Sequence, residues 1–251
     1  MEFFLKFLIY IVILICVFVS IRFFTYIEEK ILCVFHICKG PSYVGFIGFL
    51  QPFSYALGLL FRIILTSKNT NLIIFSFSPF VSLILSILFW TCLPFLNISV
   101  VLNKSILFFL VIIGFSVFPI LILRWSSNNK YRRIGRLRRV AQIVSYELCL
   151  RFFILGIIYF LKGLGFKIFV LNMIVSGIFI LLPLFNLVFI FLLAESNRRP
   201  FDFSESPSEL VRGFITEYRG RGFVVLFIAE YLTIIFISVL FLIFFFFFII
   251  Y

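Results

Sequence analysis

The stretch FFLKFLIYIVILICVFVSIRFFTY, residues 3–26, decides the fold class of this chain. It is longer than the roughly 20 predominantly apolar residues that cross the hydrocarbon core of a bilayer as a helix. It follows Met1 and Glu2 directly and contains no small-residue cleavage site, so we expect a retained transmembrane helix and not a signal peptide.

Further apolar segments of comparable length follow this first one. Hydrophobic residues make up 64% of the chain and charged residues 13%, against about 45–50% and about 25% in soluble domains. Lipid offers no hydrogen-bond partners to the backbone, so apolar segments of this kind must be helical. We predict an all-α polytopic membrane protein, a single membrane domain over 1–251. Its six transmembrane spans are predicted at about 3–26, 72–95, 98–123, 140–161, 168–194 and 223–251.

Residues 52–65 are apolar as well, but this segment is too short to span a membrane. Ser54, Gly58 and Arg62 recur at every fourth position and draw a narrow polar stripe along it. This pattern predicts an amphipathic helix that lies in the membrane interface, with a re-entrant or buried segment as the alternative.

Basic residues are distributed unevenly between the two ends of the predicted spans. Most of the 22 Lys and Arg residues fall in the predicted loops 27–71, 124–139 and 195–222. Basic loops stay on the cytoplasmic side, so these three loops are expected to share one side, the matrix in a mitochondrion, with the N-terminus on the intermembrane-space side. The net charge of +12 is therefore a topology signal, and we expect no nucleic-acid partner.

Carboxylates inside a bilayer are costly unless they are paired or hydrated, so they are candidates for function. Glu147 lies in the fourth predicted span and Glu230 at a similar depth in the sixth, while Glu195 directly follows the fifth. Arg151 follows Glu147 by four residues on the same helix face, which predicts an ion pair. Glu230 has no basic residue near it in sequence, so we expect it to be unpaired and suited to a proton relay.

The predicted loop 195–222 is the densest polar segment of the chain. Its acids are Glu195, Asp202, Glu205, Glu209 and Glu217, interspersed with arginines. Mixed charge of this kind is typical of a solvated surface. Apolar residues such as Phe201 and Phe214 lie between the charges, so part of the loop is expected to pack against another surface.

This loop also resembles the most characteristic segment of subunit 1 of respiratory complex I (NADH:ubiquinone oxidoreductase). The similar blocks in the loop are AESNRRPFD at 194–202, SELVRGF at 208–214 and TEY at 216–218. Further similar blocks, in the order of the family, are KGPSYVG at 39–45, Gln51–Pro52, WSSNNKY at 125–131, VAQIVSYE at 140–147 and AEY at 229–231. The resemblance covers most of the chain.

The resemblance implies a membrane subunit that joins the hydrophilic arm of the complex to its proton-pumping arm. In the family, matrix loops roof a ubiquinone chamber, and buried acids start the path that couples quinone reduction to proton translocation. The proton-path residues that carry over are Glu147, Glu195, Asp202, Glu205, Glu209, Glu217 and Glu230. The residues assigned to the chamber and the arm junction are Glu28, Lys30, Lys39, Gln51, Arg62, Arg138, Arg198, Phe214 and Tyr218.

The sequence departs from the family pattern at several positions. Glu29 and Cys38 stand where the family commonly has Arg, Tyr55 where it normally has Asp, and Pro207 where Glu is frequent. The chamber near the first span is therefore expected to be lined differently. The family also has eight spans and this chain has six predicted ones, so we expect a separate polypeptide to supply the last two helices, with their loss as the alternative.

We expect no redox centre in this chain, because it carries no ligand set for a nucleotide, a flavin or an iron–sulfur cluster. Cys33, His36 and Cys38 lie close together but lack an evident fourth metal ligand. Ubiquinone is the one expected cofactor, bound as substrate, and the expected partners are lipids and the other membrane and peripheral-arm subunits of complex I. The alternatives are a free-standing ion or proton-coupled transporter, the equivalent subunit of a membrane-bound hydrogenase-type complex, and a structural scaffold.

Overall fold

The computed structural model of the chain describes residues 2–62, 71–93, 104–126, 130–161, 165, 178–196, 198, 201 and 220–245. All regular secondary structure within these ranges is helical, which confirms the predicted all-α class. The α-helices are α1 (Glu2–Phe35), α2 (Gln51–Leu60), α3 (Leu72–Trp90), α4 (Ser105–Ser126), α5 (Lys130–Leu161), α6 (Ile178–Glu195) and α7 (Arg221–Phe245). A short 3₁₀ turn, Phe46–Gly48, precedes α2.

Four helices of the described part are long and apolar enough to cross a membrane. These segments are Leu8–Phe35 in α1, Leu72–Trp90 in α3, Ser105–Leu123 in α4 and Arg221–Ile243 in α7. The chain is therefore a polytopic membrane protein, and the number of six spans stays a prediction.

Two helices run beyond the spans predicted for them. Helix α1 continues past Tyr26 to Phe35, and α5 begins at Lys130, within the predicted loop 124–139. Neither extension contains a proline, so helical hydrogen bonding continues outside the apolar part of the sequence. Parts of the predicted loops 27–71 and 124–139 are consequently helical.

Helix α3 packs against both α7 and α4. Helix α5 packs between α4 and α6, and α6 also contacts α7, whereas the peripheral α1 contacts α7 and α2. The helices α3, α4 and α7 meet at three phenylalanine rings. The ring of Phe236 lies 5.1 Å from that of Phe89 and 5.7 Å from that of Phe109. Such close ring contacts stabilise the bundle where lipid provides no hydrophobic driving force between helices.

A proline inside α3 is compensated locally. Pro79 has no N–H to donate to the carbonyl of Phe75, and the hydroxyl of the fully buried Ser78 donates to that carbonyl at 3.2 Å. Ser82 and Ser86 likewise donate to carbonyls three residues earlier, at 2.7 and 2.8 Å. Since the interior of a bilayer contains almost no water, these hydroxyl groups donate their hydrogen bonds to carbonyls of their own helix.

Helix α2 corresponds to the start of the predicted interfacial helix 52–65. It begins at Gln51, with Pro52 in its first turn, and ends at Leu60, while residues 63–65 of the predicted segment lie outside the described residues. Pro52 and Ala56, one turn apart, are buried, whereas Tyr55 and Leu57 are exposed.

The end of α2 and the start of α7 are in close contact at Gly220. This glycine has a φ of +65°, and a Cβ atom added to it would stand 2.6 Å from the carbonyl oxygen of Arg62. Beside it, Nε of Arg221 donates to the carbonyl of Leu60 at 3.4 Å, which satisfies one of the terminal carbonyls of α2. Glycine is required at position 220 by both its conformation and the lack of space.

We expect Gly220→Ala to destabilise the chain by about 1–2 kcal/mol, because alanine is strained at positive φ and its Cβ would meet the Arg62 carbonyl. Gly58→Ala is the matched control, since a Cβ there meets nothing within 4 Å and alanine is favoured within a helix. The measurement is the free energy of unfolding of both variants in the same detergent. Equal stability of Gly220→Ala and the parent chain contradicts the contact.

Candidate functional site

Glu147 is buried in α5, with 6% of its surface exposed, and forms an ion pair with Arg151 one turn later. This pair confirms the prediction made from their spacing of four residues. Nη2 of Arg151 also donates to the carbonyl of Leu110 in α4, at 3.5 Å. The pair sits against Gly114 of α4, where an added Cβ would lie 3.1 Å from Oε1 of Glu147 and collide with the guanidinium. The absence of a side chain at position 114 therefore makes room for the pair.

Glu230 of α7 is paired with Arg139 of α5. Nη2 of Arg139 donates to Oε1 of Glu230 at 3.3 Å, and the arginine side chain is 10% exposed. The prediction that Glu230 is unpaired is therefore wrong. The two residues are 91 positions apart in sequence, and only the packing of the helices brings them together.

A cavity of about 110 Å³, called the inner cavity here, lies among α3, α4, α5, α6 and α7. Its walls are mostly apolar, and its polar lining residues are Ser82, Ser86, Ser116, Arg139, Glu195, Glu230 and Thr233. Glu147 lies near enough to Glu195 for the two charges to interact. A cavity of this volume with several polar groups in its walls has room for several waters, at about 10–15 Å³ for each water centre. The inner cavity therefore joins acids and water-binding groups within the apolar bundle.

A second cavity, of about 490 Å³, lies between α1, α2 and α7 and is called the outer cavity here. Its charged lining residues are Arg22 and Glu29 from α1 and Arg62 after α2, and its aromatic ones are Tyr55, Phe223 and Phe227. The polar stripe that predicted an interfacial helix, Ser54, Gly58 and Arg62, lines this cavity. Mixed apolar and charged walls suit an amphipathic small molecule.

Glu28, Arg198 and Tyr231 form a closed network in which each side chain contacts the other two. Arg198 donates to both carboxylate oxygens of Glu28, from Nη1 to Oε1 and from Nη2 to Oε2, the latter at 3.3 Å. The hydroxyl of Tyr231 donates to Oε2 of Glu28 at 2.9 Å, and the guanidinium carbon of Arg198 lies 5.2 Å from the centre of the Tyr231 ring. The hydrogen bond to Glu28 raises the pKa of Arg198 above its ordinary value, so this arginine stays charged.

The remaining predicted chamber residues lie in α1, α2, α5 and the segment between α1 and α2. Gln51 is buried at the start of α2, Lys39 and Arg138 are exposed, and the amino group of Lys30 lies 5.6 Å from the centre of the Tyr26 ring. The predicted residues that lie outside the described part of the chain are Asp202, Glu205, Glu209, Phe214, Glu217 and Tyr218.

Three residues of these sites were not assigned from the sequence. Arg139 ends a run of basic residues that was interpreted as a matrix-side loop, yet it lies directly before the predicted span 140–161 and one turn before Gln142. Nε2 of Gln142 donates to the carbonyl of Phe201 at 2.8 Å. Tyr231 stands in the block AEY, and its partner Glu28 is 203 positions away. The sequence signal for Arg139 was its place at the border of a span, on the same helix face as the polar residue Gln142.

The fold and these sites define a polytopic membrane protein that pairs its buried charges around internal cavities. The family model described as NADH dehydrogenase matches residues 8–249, nearly the whole chain. The chain belongs to the NADH dehydrogenase family.

Its relatives include subunits of one enzyme complex. The chain is 42% identical over 228 residues to NADH-ubiquinone oxidoreductase chain 1 of Aedes aegypti and 43% identical over 228 residues to that of Anopheles gambiae. Each alignment covers 90% of this chain and 73% of the relative. The corresponding protein of Yarrowia lipolytica is 42% identical over 229 residues, with 90% and 67% covered. The expectation of a membrane subunit of complex I is thereby confirmed.

We expect Arg139 and Glu230 to be energetically coupled by about 1–2 kcal/mol, less than a fully buried pair, because 32% of the Glu230 side chain is exposed. Arg139→Gln, Glu230→Gln and the double variant form the cycle, with the free energy of unfolding in detergent as the measurement. A second cycle, of Arg139→Gln with Glu29→Gln, is the control, since Glu29 lines the other cavity. Additive effects in the first cycle contradict the pair.

Proposed function

We propose that the chain forms the quinone-access chamber of complex I and holds the first acids of its proton-coupling path. The observation that carries this proposal is the position of α7 between two cavities. Phe227 of α7 lines the outer cavity, and Glu230, less than one turn later, lines the inner cavity. A molecule bound in the outer cavity is therefore separated from the titratable Glu230 of the inner cavity by a single helix.

The outer cavity is proposed as the ubiquinone site, which the names of the relatives support. A quinone has a flat polar ring and an apolar tail, and it reaches its site from within the lipid. The outer cavity offers aromatic walls at Phe223 and Phe227 and polar groups at Thr25 and Arg62. It is bordered by α2, the helix whose pattern predicts a place at the membrane interface.

The inner cavity is proposed as the start of the proton path. A proton relay needs groups that take up and release protons within reach of one another or of bridging waters. Glu195 and Glu230 line the same cavity, and Glu147 is close to Glu195. We assign Asp202, Glu205, Glu209 and Glu217 to the part of this path that faces the matrix, together with Phe214 and Tyr218 for the chamber roof.

The proposed membrane is the mitochondrial inner membrane, with the N-terminus on the intermembrane-space side and the basic segments in the matrix. The contacts of the described residues support a common side for these segments, because Arg198 contacts Glu28 after the first predicted span and Arg221 contacts Leu60 of α2. Lys39 and Arg138 are exposed, and we assign both to that side. Membrane and peripheral-arm subunits of complex I, and lipids, are the partners that this function requires.

We expect Glu230→Gln to leave the complex assembled and to lower quinone reductase turnover roughly tenfold or more, because an amide still accepts a hydrogen bond from Arg139 but takes up no proton. The measurements are turnover per assembled complex and the ratio of protons to electrons in proteoliposomes. Glu29→Gln is the control, since it neutralises an acid of the outer cavity and should keep the ratio. Normal turnover and pumping with Glu230→Gln would refute the path.

We also expect photoreactive ubiquinone analogues to label α1, α2 and the start of α7, because these helices form the outer cavity. Excess ubiquinone should suppress the labelling. Peptide mapping of the labelled chain is the measurement. Labelling confined to the opposite ends of the helices, such as the N-terminal end of α1, contradicts both the site and the orientation.

A further inference from the structure

The network of Glu28, Arg198 and Tyr231 joins three parts of the chain that are distant in sequence. Glu28 lies in α1, Arg198 follows α6, and Tyr231 lies in α7. The separations are 170 residues from Glu28 to Arg198 and 203 residues from Glu28 to Tyr231. Its contacts are hydrogen bonds and a cation–π contact, which depend on direction, whereas the apolar contacts along the rest of α7 do not.

Tyr231 also connects the two cavities through its neighbours in α7. It directly follows Glu230, and successive residues of a helix project about 100° apart, so the two side chains point to different sides. The ring of Tyr231 packs on that of Phe227, one turn earlier, with 4.3 Å between ring centres. Because the three residues belong to one helix, the direction of Tyr231 is linked to the directions of Phe227 and Glu230.

Arg198 is held from a second direction by its own segment. Glu195, three residues earlier, ends α6 and lines the inner cavity. Three residues later, the carbonyl of Phe201 accepts a hydrogen bond from Gln142, and its ring lies 5.5 Å from that of Tyr146. Both contacts are with α5, the helix that carries Arg139. The guanidinium of Arg198 is thus anchored relative to the partner of Glu230.

We propose that Arg198 and Tyr231 are positioning residues that act through Glu28 to fix the rotational setting of α7. In this setting Phe227 lines the outer cavity and Glu230 meets Arg139 in the inner cavity. The inference rests on the proposed function. It adds the side chains that keep Phe227 at the outer cavity and Glu230 at the inner cavity at the same time. Neither residue needs to contact the quinone or carry a proton for this role.

The decisive variant is Tyr231→Phe, which removes the hydroxyl bonded to Glu28 and keeps the ring against Phe227. We expect the native complex to assemble in normal amounts, the KM for a short-chain ubiquinone to rise roughly three- to tenfold, and the ratio of protons to electrons to fall. Arg198→Lys should have a similar effect, because it keeps the charge and loses the two-pronged contact. Tyr10→Phe is the matched control, since Tyr10 lines neither cavity.

The comparison with Phe227→Ala separates this inference from the proposed function. If Phe227→Ala raises the KM while Tyr231→Phe keeps the parent KM and ratio, the positioning role is overturned and the quinone site stands. If Tyr231→Phe only lowers the amount of assembled complex, with unchanged constants per complex, the network is merely structural and the inference is overturned. An unchanged KM for Phe227→Ala overturns the proposed function and the inference with it.

Discussion

The pairing of Arg139 with Glu230 is the interaction on which the interior of this protein depends. An isolated charge among apolar helices is expensive, and the loss of either member of the pair would leave such a charge behind. The pair requires α5 and α7 to stand in one relative position, since its two members come from these helices. Both members of the pair line the inner cavity, as does Glu195 of α6. The pairing of Arg139 with Glu230 therefore both neutralises charge in the interior and fixes the relative position of α5 and α7.

Helix α7 gives the protein its functional organisation. One of its sides contributes Phe223 and Phe227 to the outer cavity, and another contributes Ala229, Glu230 and Thr233 to the inner one. The phenylalanine rings around Phe236 hold the middle of the helix through apolar packing. Directional contacts at Gly220 and Tyr231 hold the end nearer the outer cavity. In the proposed function this division separates quinone binding from proton transfer by the width of a single helix.

The sequence predicted those features that depend on residues close together along the chain. Apolar runs such as 3–26 predicted the helices, and the spacing of Glu147 and Arg151 predicted their ion pair. The spacing of Ser54, Gly58 and Arg62 predicted a polar stripe on α2, although not the cavity that this stripe lines.

The contacts between distant residues could not be predicted in the same way. Glu230 was expected to be unpaired because its partner, Arg139, lies 91 residues away. The network around Glu28 spans even greater separations, and no periodic pattern connects its members. The helix ends also differ from the predicted span ends, since hydropathy marks the limits of the hydrocarbon and not the limits of helical hydrogen bonding.

The length of α5 has a mechanical consequence. Its 32 residues extend about 48 Å, well over the roughly 30 Å of a hydrocarbon core, and no proline interrupts them. A continuous helix of this kind is stiff, because sharp kinks arise at prolines, glycine–serine pairs or inserted groups. Its first turns carry the exposed Arg138, and its interior carries Glu147 and Arg151. A displacement of the basic end would therefore move Glu147 and Arg151 with it, so α5 is a stiff rod that connects the exposed basic end of the helix to this ion pair.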